Sequence, residues 1–224
     1  MVMSFFRKGE SGIEHIERRV VSMLGEARHS YDMAIAAVIG GADPDTVEAD
    51  IFETDERINR AEQELRGELV VHISVQGADN IGAVLAYTLL IKKIERIGDQ
   101  AKNVFDLTRE GVSLAGSPDS AELQRYASKI SGLFGEVTEI LSDGDAEHAM
   151  EFRATCDKLR HECEQHVRNF MHTDEPGHYA VPRAVLYRYW KRIVANLSGV
   201  VIGVTEPLQH HEYLDGGTTG LADD

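Results

Sequence analysis

Apolar residues recur every three to four positions along most of the chain, the spacing of helices that bury one face. The pattern predicts six long helices. The first runs from about Ile13 to Ile39 and stops at Gly40-Gly41; Asp43-Pro44 opens the second. The second continues to about Ser74, with Ile51, Ile58, Leu65 and Leu69 in one stripe. Gly77-Ala-Asp79 breaks it, and Asp79 is placed to cap a third helix from about Asn80 to Arg109. Gly116-Ser-Pro-Asp119 is the clearest central punctuation. The fourth helix then spans about Ser120 to Leu141, and Ser142-Asp-Gly-Asp145 follows it. The fifth spans Ala146 to Met171, striped by Phe152, Cys156, Leu159, Cys163, Val167 and Phe170. Asp174-Glu-Pro-Gly177 separates it from a sixth, about Tyr179 to Glu212. Beyond it the periodicity is lost, and the end of the chain reads as a disordered tail.

Three helices, a Gly/Pro break and three more helices suggest a duplication. Asp55–Glu64 can be laid on Cys156–Gln165, and Ile94-Glu-Arg-Ile97 on Trp190-Lys-Arg-Ile193. The expected architecture is all-α: two antiparallel three-helix bundles in tandem, over residues 10–114 and 119–213, with the tail at 214–224. Only five prolines interrupt 224 residues, which agrees with that class.

Composition narrows the function. The 38 acidic against 23 basic residues leave a net charge of −15. That argues against a nucleic-acid surface and suits a binder of cations or of basic partner surfaces. No apolar run is long enough to span a membrane, and the start lacks the apolar core of a secretory signal. Cys156 and Cys163, seven residues apart on one helix, are separated by about 10 Å, too far for a disulfide. A reducing, cytoplasmic setting is the expectation.

The candidate chemistry lies on the third helix. At about 100° per residue, Leu90, Ile94, Ile97, Ala101, Val104 and Phe105 form one apolar arc. Glu95 and Asp99 fall on the opposite face, one turn apart, and are expected to point outward. Such a pair repels unless a cation sits nearby. Gly98 between them costs about 1 kcal/mol of helix propensity relative to Ala and suggests a close approach by a neighbour, or mere tolerance. The second helix offers Asp55, Asn59 and Glu62 at matching spacing. Oxygen ligands from two helices suit Mg²⁺, Ca²⁺, Mn²⁺ or iron. The plainer reading is a solvated face with Lys92 and Lys102 as ion-pair neighbours.

Glu95-Arg-Ile-Gly-Asp99-x-Ala-x-Asn103 resembles the signature of the PhoU family, bacterial regulators of phosphate uptake. Asp55-x-x-x-Asn59 sits where that family has its other acidic pair, with Asn for the second acid. Gln76-Gly-Ala-Asp79 resembles the family's Gln-Pro-Ala-x-Asp turn, with Gly for Pro. The resemblance covers about residues 13–110. It implies a pair of three-helix bundles and metal clusters held on the outer face of a bundle. On that reading Glu95, Asp99, Asp55, Asn59 and Glu62 would hold a divalent or iron-type metal ion, with no organic cofactor. The implied role is regulatory, not enzymatic. The protein would dock on a phosphate transporter component or a sensor kinase, as a homodimer, reaching the membrane only peripherally through the transporter. Two alternatives stay open: an accessory subunit of a different ion transporter or permease, and a metal-free helical adaptor.

The second half departs from the pattern. Cys156 and Arg160 stand against Asp55 and Asn59, and Ala195 falls under Asp99. Arg183, Arg188, Lys191 and Arg192 make that region basic, so a second acidic site is not expected; the basic cluster could meet an anion, an acidic partner or another subunit. Cys163-x-x-His166, with His161 and Glu162, is at most half a zinc site. Trp190 and Tyr189 read as packing residues, and His178 and His210-His211 as surface or loop histidines. Phe5-Phe6-Arg-Lys8 reads as a frayed terminus or a membrane or permease contact. A ferritin-like di-metal oxidase fails on ligand count, because Glu26-Ala-Arg-His29 is the one helical Glu-x-x-His. No phosphate-binding glycine loop or nucleophile motif is present.

Overall fold

A computed structural model describes residues 12–77 and 81–205. Among them are six helices and no strand: α1 (Gly12–Val38), α2 (Pro44–Gln76), α3 (Ile81–Arg109), α4 (Ser120–Asp143), α5 (Ala146–Met171) and α6 (Gly177–Thr205). The expected Asp79 cap, the Phe5-Phe6-Arg-Lys8 segment, His210-His211 and the tail lie outside the described residues.

Local chemistry sets the helix ends. Asp43 accepts a hydrogen bond from the Asp45 amide at 3.1 Å, and Pro44 occupies the first turn, where its missing N–H has no partner to lose. Asp145 caps α5 through the amides of Glu147 and His148. Between α4 and α5, Gly144 takes φ 67°, a left-handed conformation that costs glycine nothing. Asp119 stands at the start of α4 without capping it, because its carboxylate is turned to Arg183 on α6.

Helices α1, α2 and α3 pack on one another, and α6 packs along both α4 and α5. The two sets are joined along α3–α6 and α1–α4. One continuous apolar core results, with Ile16, Tyr31, Ile51, Phe105, Phe134 and Trp190 all essentially inaccessible. Each fully buried side chain of this size contributes about 1.5–3 kcal/mol. At the α3–α6 contact the stem of Lys93 lies over Gly199, where a Cβ would come within 2.7 Å of Lys93 Cδ. The stripes read on α2, α3 and α5 all face inward, with Phe170 at their half-buried margin.

Candidate functional site on the α2–α3 seam

Gly98 lets α2 and α3 approach closely. A Cβ there would sit 2.9 Å from Ile58 Cδ1, so the glycine in the acidic stretch marks a close approach. The antiparallel register brings the candidate residues of both helices to one seam. Lys92 Nζ lies 2.7 Å from Glu95 Oε2 on its own helix and 3.6 Å from Glu62 Oε1 across the seam. Lys102 Nζ bonds Asp55 Oδ2 at 2.7 Å. Asn59 donates to the same Asp55 oxygen at 3.4 Å, and Arg66 reaches Glu62 at 2.8 Å.

The five residues therefore share a seam, but two of them are not outward-facing. Glu95 is only 9 % exposed and Glu62 only 7 %. An isolated helical projection puts Glu95 opposite the apolar arc. In the folded chain α2 comes up against that flank, and the carboxylate is enclosed. Asp99, half-buried, makes neither an ion pair nor a hydrogen bond among the described residues. Its pKa is raised, chiefly by burial and then by the negative charge of Glu95, with Asp55 adding to it; Lys102 and Lys92 pull the other way. The amine of Lys92 is shifted upward, first by its hydrogen bond to Glu95.

Lys92 and Lys102 thus supply cationic charge beside the carboxylates, at the separations of direct ion pairs. Among the described residues no group of three or more His, Cys, Asp or Glu side chains is arranged to hold a metal ion. The carboxylates as they stand do not fit a resident cation; an ion would have to displace the two ammonium groups. Arg66 also belongs to the seam and was legible only as the i, i+4 partner of Glu62. The pairing of Lys102 with Asp55, 47 residues apart, carries no local signal.

Other candidates resolve as structure. Cys163 is buried, its thiol pushed up to about 12 by burial, and Cys156 behaves alike. His166 bonds the Tyr126 hydroxyl at 3.1 Å and stacks on Tyr187 at 4.2 Å, so no half-site with Cys163 forms. His29 pairs with Asp50, and Glu26 with Arg57. The basic stretch of α6 is partly answered internally. Arg183, 3 % exposed, makes two 2.7 Å bonds to Asp119, and Lys191 reaches Glu164 at 2.5 Å. Arg188 and Arg192 remain exposed.

Residues 20–108 match the family model of the PhoU domain. That stretch is similar to a PhoU domain. All five candidate carboxylate and amide residues, and both seam lysines, lie inside it. The crystal structure of PhoU from Pseudomonas aeruginosa is similar to this chain at 18 % identity, with a TM-score of 0.72, covering 86 % of this chain and 95 % of that one. At that identity the likeness speaks for the fold, and it carries the PhoU-like architecture past residue 108 into the last three helices. No curated protein is significantly similar in sequence. No described helix is long and apolar enough to cross a membrane.

Proposed function

We propose that this protein regulates phosphate uptake as a docking module and not as a catalyst. The outer α2–α3 face of its PhoU-like domain would engage a phosphate transporter component or a sensor kinase. The observation that carries this reading is Asp99. A half-buried carboxylate with a raised pKa and no hydrogen bond or ion pair among the described residues costs stability, and such costs concentrate where an incoming group offsets them. The incoming group is a cation, because Glu95 and Asp55 add negative charge around Asp99, whose pKa stays raised even with Lys102 and Lys92 close by. A basic side chain of the partner meets that requirement without disturbing Lys92 or Lys102.

The test is phosphate uptake in cells that lack the protein and are complemented with wild type, Asp99→Asn or Asp99→Lys. Wild type should restrain uptake. Both variants should fail to do so while unfolding cooperatively at or above the wild-type temperature. Restraint by Asp99→Lys equal to wild type would sink docking through this face.

A metal-assisted form of the same docking is the second reading, favoured by the same half-buried carboxylate. It requires the ion to compete with both ammonium groups. Elemental analysis of untagged wild type against Glu95→Ala/Asp99→Ala separates the two forms. Stoichiometric metal lost in the double variant supports the metal-assisted form; none in either supports direct contact with a basic partner. A two-fold dimer is the expected assembly, and sedimentation would read it.

A further inference from the structure

Away from the seam, a cavity of about 330 Å³ opens where the two sets of three helices meet. Glu17 and Val20 of α1, Tyr87 of α3, Ile140 of α4, Gly144 in the α4–α5 turn and Thr205 of α6 line it. Val20 and Ile140 are buried and carry its wall into the core. A Cβ on Gly144 would meet nothing within 4 Å, so the turn leaves the space beside it open.

The polar groups of the lining share one character. Tyr87 donates to Glu17 Oε1 at 2.8 Å and fastens α3 to α1. Burial first, and then that hydrogen bond, raise the Tyr87 pKa, so the hydroxyl keeps its proton at neutral pH and goes on donating to Glu17. Thr205 donates its hydroxyl hydrogen to the Val201 carbonyl at 2.8 Å. Both hydroxyls therefore offer the cavity lone pairs only. Helix α4 ends here, and its last carbonyls are acceptors at the negative end of the helix. Glu17 is the one charged residue of the lining, which contains no Lys, Arg or His. Tyr87 takes one of the roughly four acceptor positions of the carboxylate.

That chemistry selects an occupant. An anion meets only acceptors and a carboxylate. An uncharged apolar molecule would strip water from Glu17 and return no hydrogen bond. A bare divalent ion needs several oxygen ligands, and among the described residues no cluster of acidic side chains is arranged to supply them. We propose that this cavity binds a small organic cation, an alkylammonium ion whose charged head meets Glu17 and whose aliphatic part lies against Val20 and Ile140. The volume stands at the lower end of the range for ligand pockets, about 300–1,000 Å³. Elements of both helix sets wall the site, so its occupant would tie the two sets together. The site uses neither Asp99 nor the seam lysines and is independent of docking through the α2–α3 face.

The experiment titrates the full chain, isotopically labelled for NMR, with n-pentylammonium, 1-pentanol and pentanoate at fixed ionic strength. The three probes share one aliphatic chain and differ in charge. Pentylammonium should give saturable shifts confined to residues 17–21, 87, 140–146 and 204–205, and the other two should bind at least about tenfold more weakly. Glu17→Gln keeps an acceptor for Tyr87 and should weaken pentylammonium about tenfold. Ala146→Phe, at an exposed position of the lining, fills the cavity without touching the charge and should abolish binding. Equal affinity for pentanol, or for the Glu17→Gln variant, would overturn the proposal. So would shifts spread over the acidic α2–α3 face, which would reduce the effect to general attraction by a chain of net charge −15.

Discussion

Replacing both seam lysines, Lys92→Met and Lys102→Met, isolates what neutralises the acidic face. Lys92 stands 2.7 Å from Glu95 and 3.6 Å from Glu62, and Lys102 stands 2.7 Å from Asp55. The lysine side chains are 40 % and 28 % exposed, so the ion pairs themselves count for only about 0.3–1 kcal/mol each. The larger effect lies with what is left behind. Glu62 and Glu95 are nearly enclosed, and an enclosed polar group without its partner costs about 1–3 kcal/mol. Partial rehydration through the opened seam reduces that. The double variant should lose about 2–4 kcal/mol at neutral pH, a fall of roughly 5–15 °C in unfolding temperature for a chain of this size. Urea unfolding with a chelator present measures it. Adding Mn²⁺ should restore stability to the double variant and leave the wild type unmoved, since a ligand at a hundred times its Kd contributes about 2.7 kcal/mol. A double variant as stable as wild type would show that the lysines are bystanders on a solvated face, and the account of the seam would fail.

Asp99 has a raised folded pKa, so its contribution to stability is present below the unfolded value of about 3.9 and is lost as pH rises through the folded value. Asp99→Asn should therefore unfold at a higher urea midpoint than wild type at pH 7 and at nearly the same midpoint near pH 3. Asp119 runs the opposite way: hydrogen bonds from Arg183 hold its pKa below the ordinary value. Its contribution is full above about 3.9 and lost as pH falls through the lower folded value. Arg183→Met should cost about 3–5 kcal/mol and flatten that acid limb in a pH series of thermal melts. Gly98→Ala gains about 1 kcal/mol of helix propensity and loses about 1–3 to the clash with Ile58. A net loss of about 1 kcal/mol is expected in denaturant melts, and Ile58→Val, which removes the clashing methyl, should recover it in a double-mutant cycle.

The residues that could be placed from the sequence were those whose role depends on near neighbours. Asp43-Pro44 and Asp145 opened helices because a carboxylate two residues ahead of an amide caps it wherever the chain goes. The stripe through Phe152, Cys156 and Leu159 faced inward because a helix with one apolar side has one place to put it. Gly98 could be singled out because a glycine inside a helix is costly, but its two readings could not be separated. Deciding between them needed Ile58, forty residues away.

The acidic seam divides along the same line. The sequence by itself determined that Glu95 and Asp99 share one side of α3 and that Asp55, Asn59 and Glu62 share one side of α2, because helical spacing is local. It also determined the net charge and the all-α class. The tertiary structure alone decided that α2 closes over Glu95, that Lys102 answers Asp55, that Arg183 is held by Asp119, and that Asp99 makes no hydrogen bond or ion pair among the described residues. These are facts about the distance between helices and the direction in which one crosses another. Summed packing over the whole core sets both, and no window of neighbouring residues contains it.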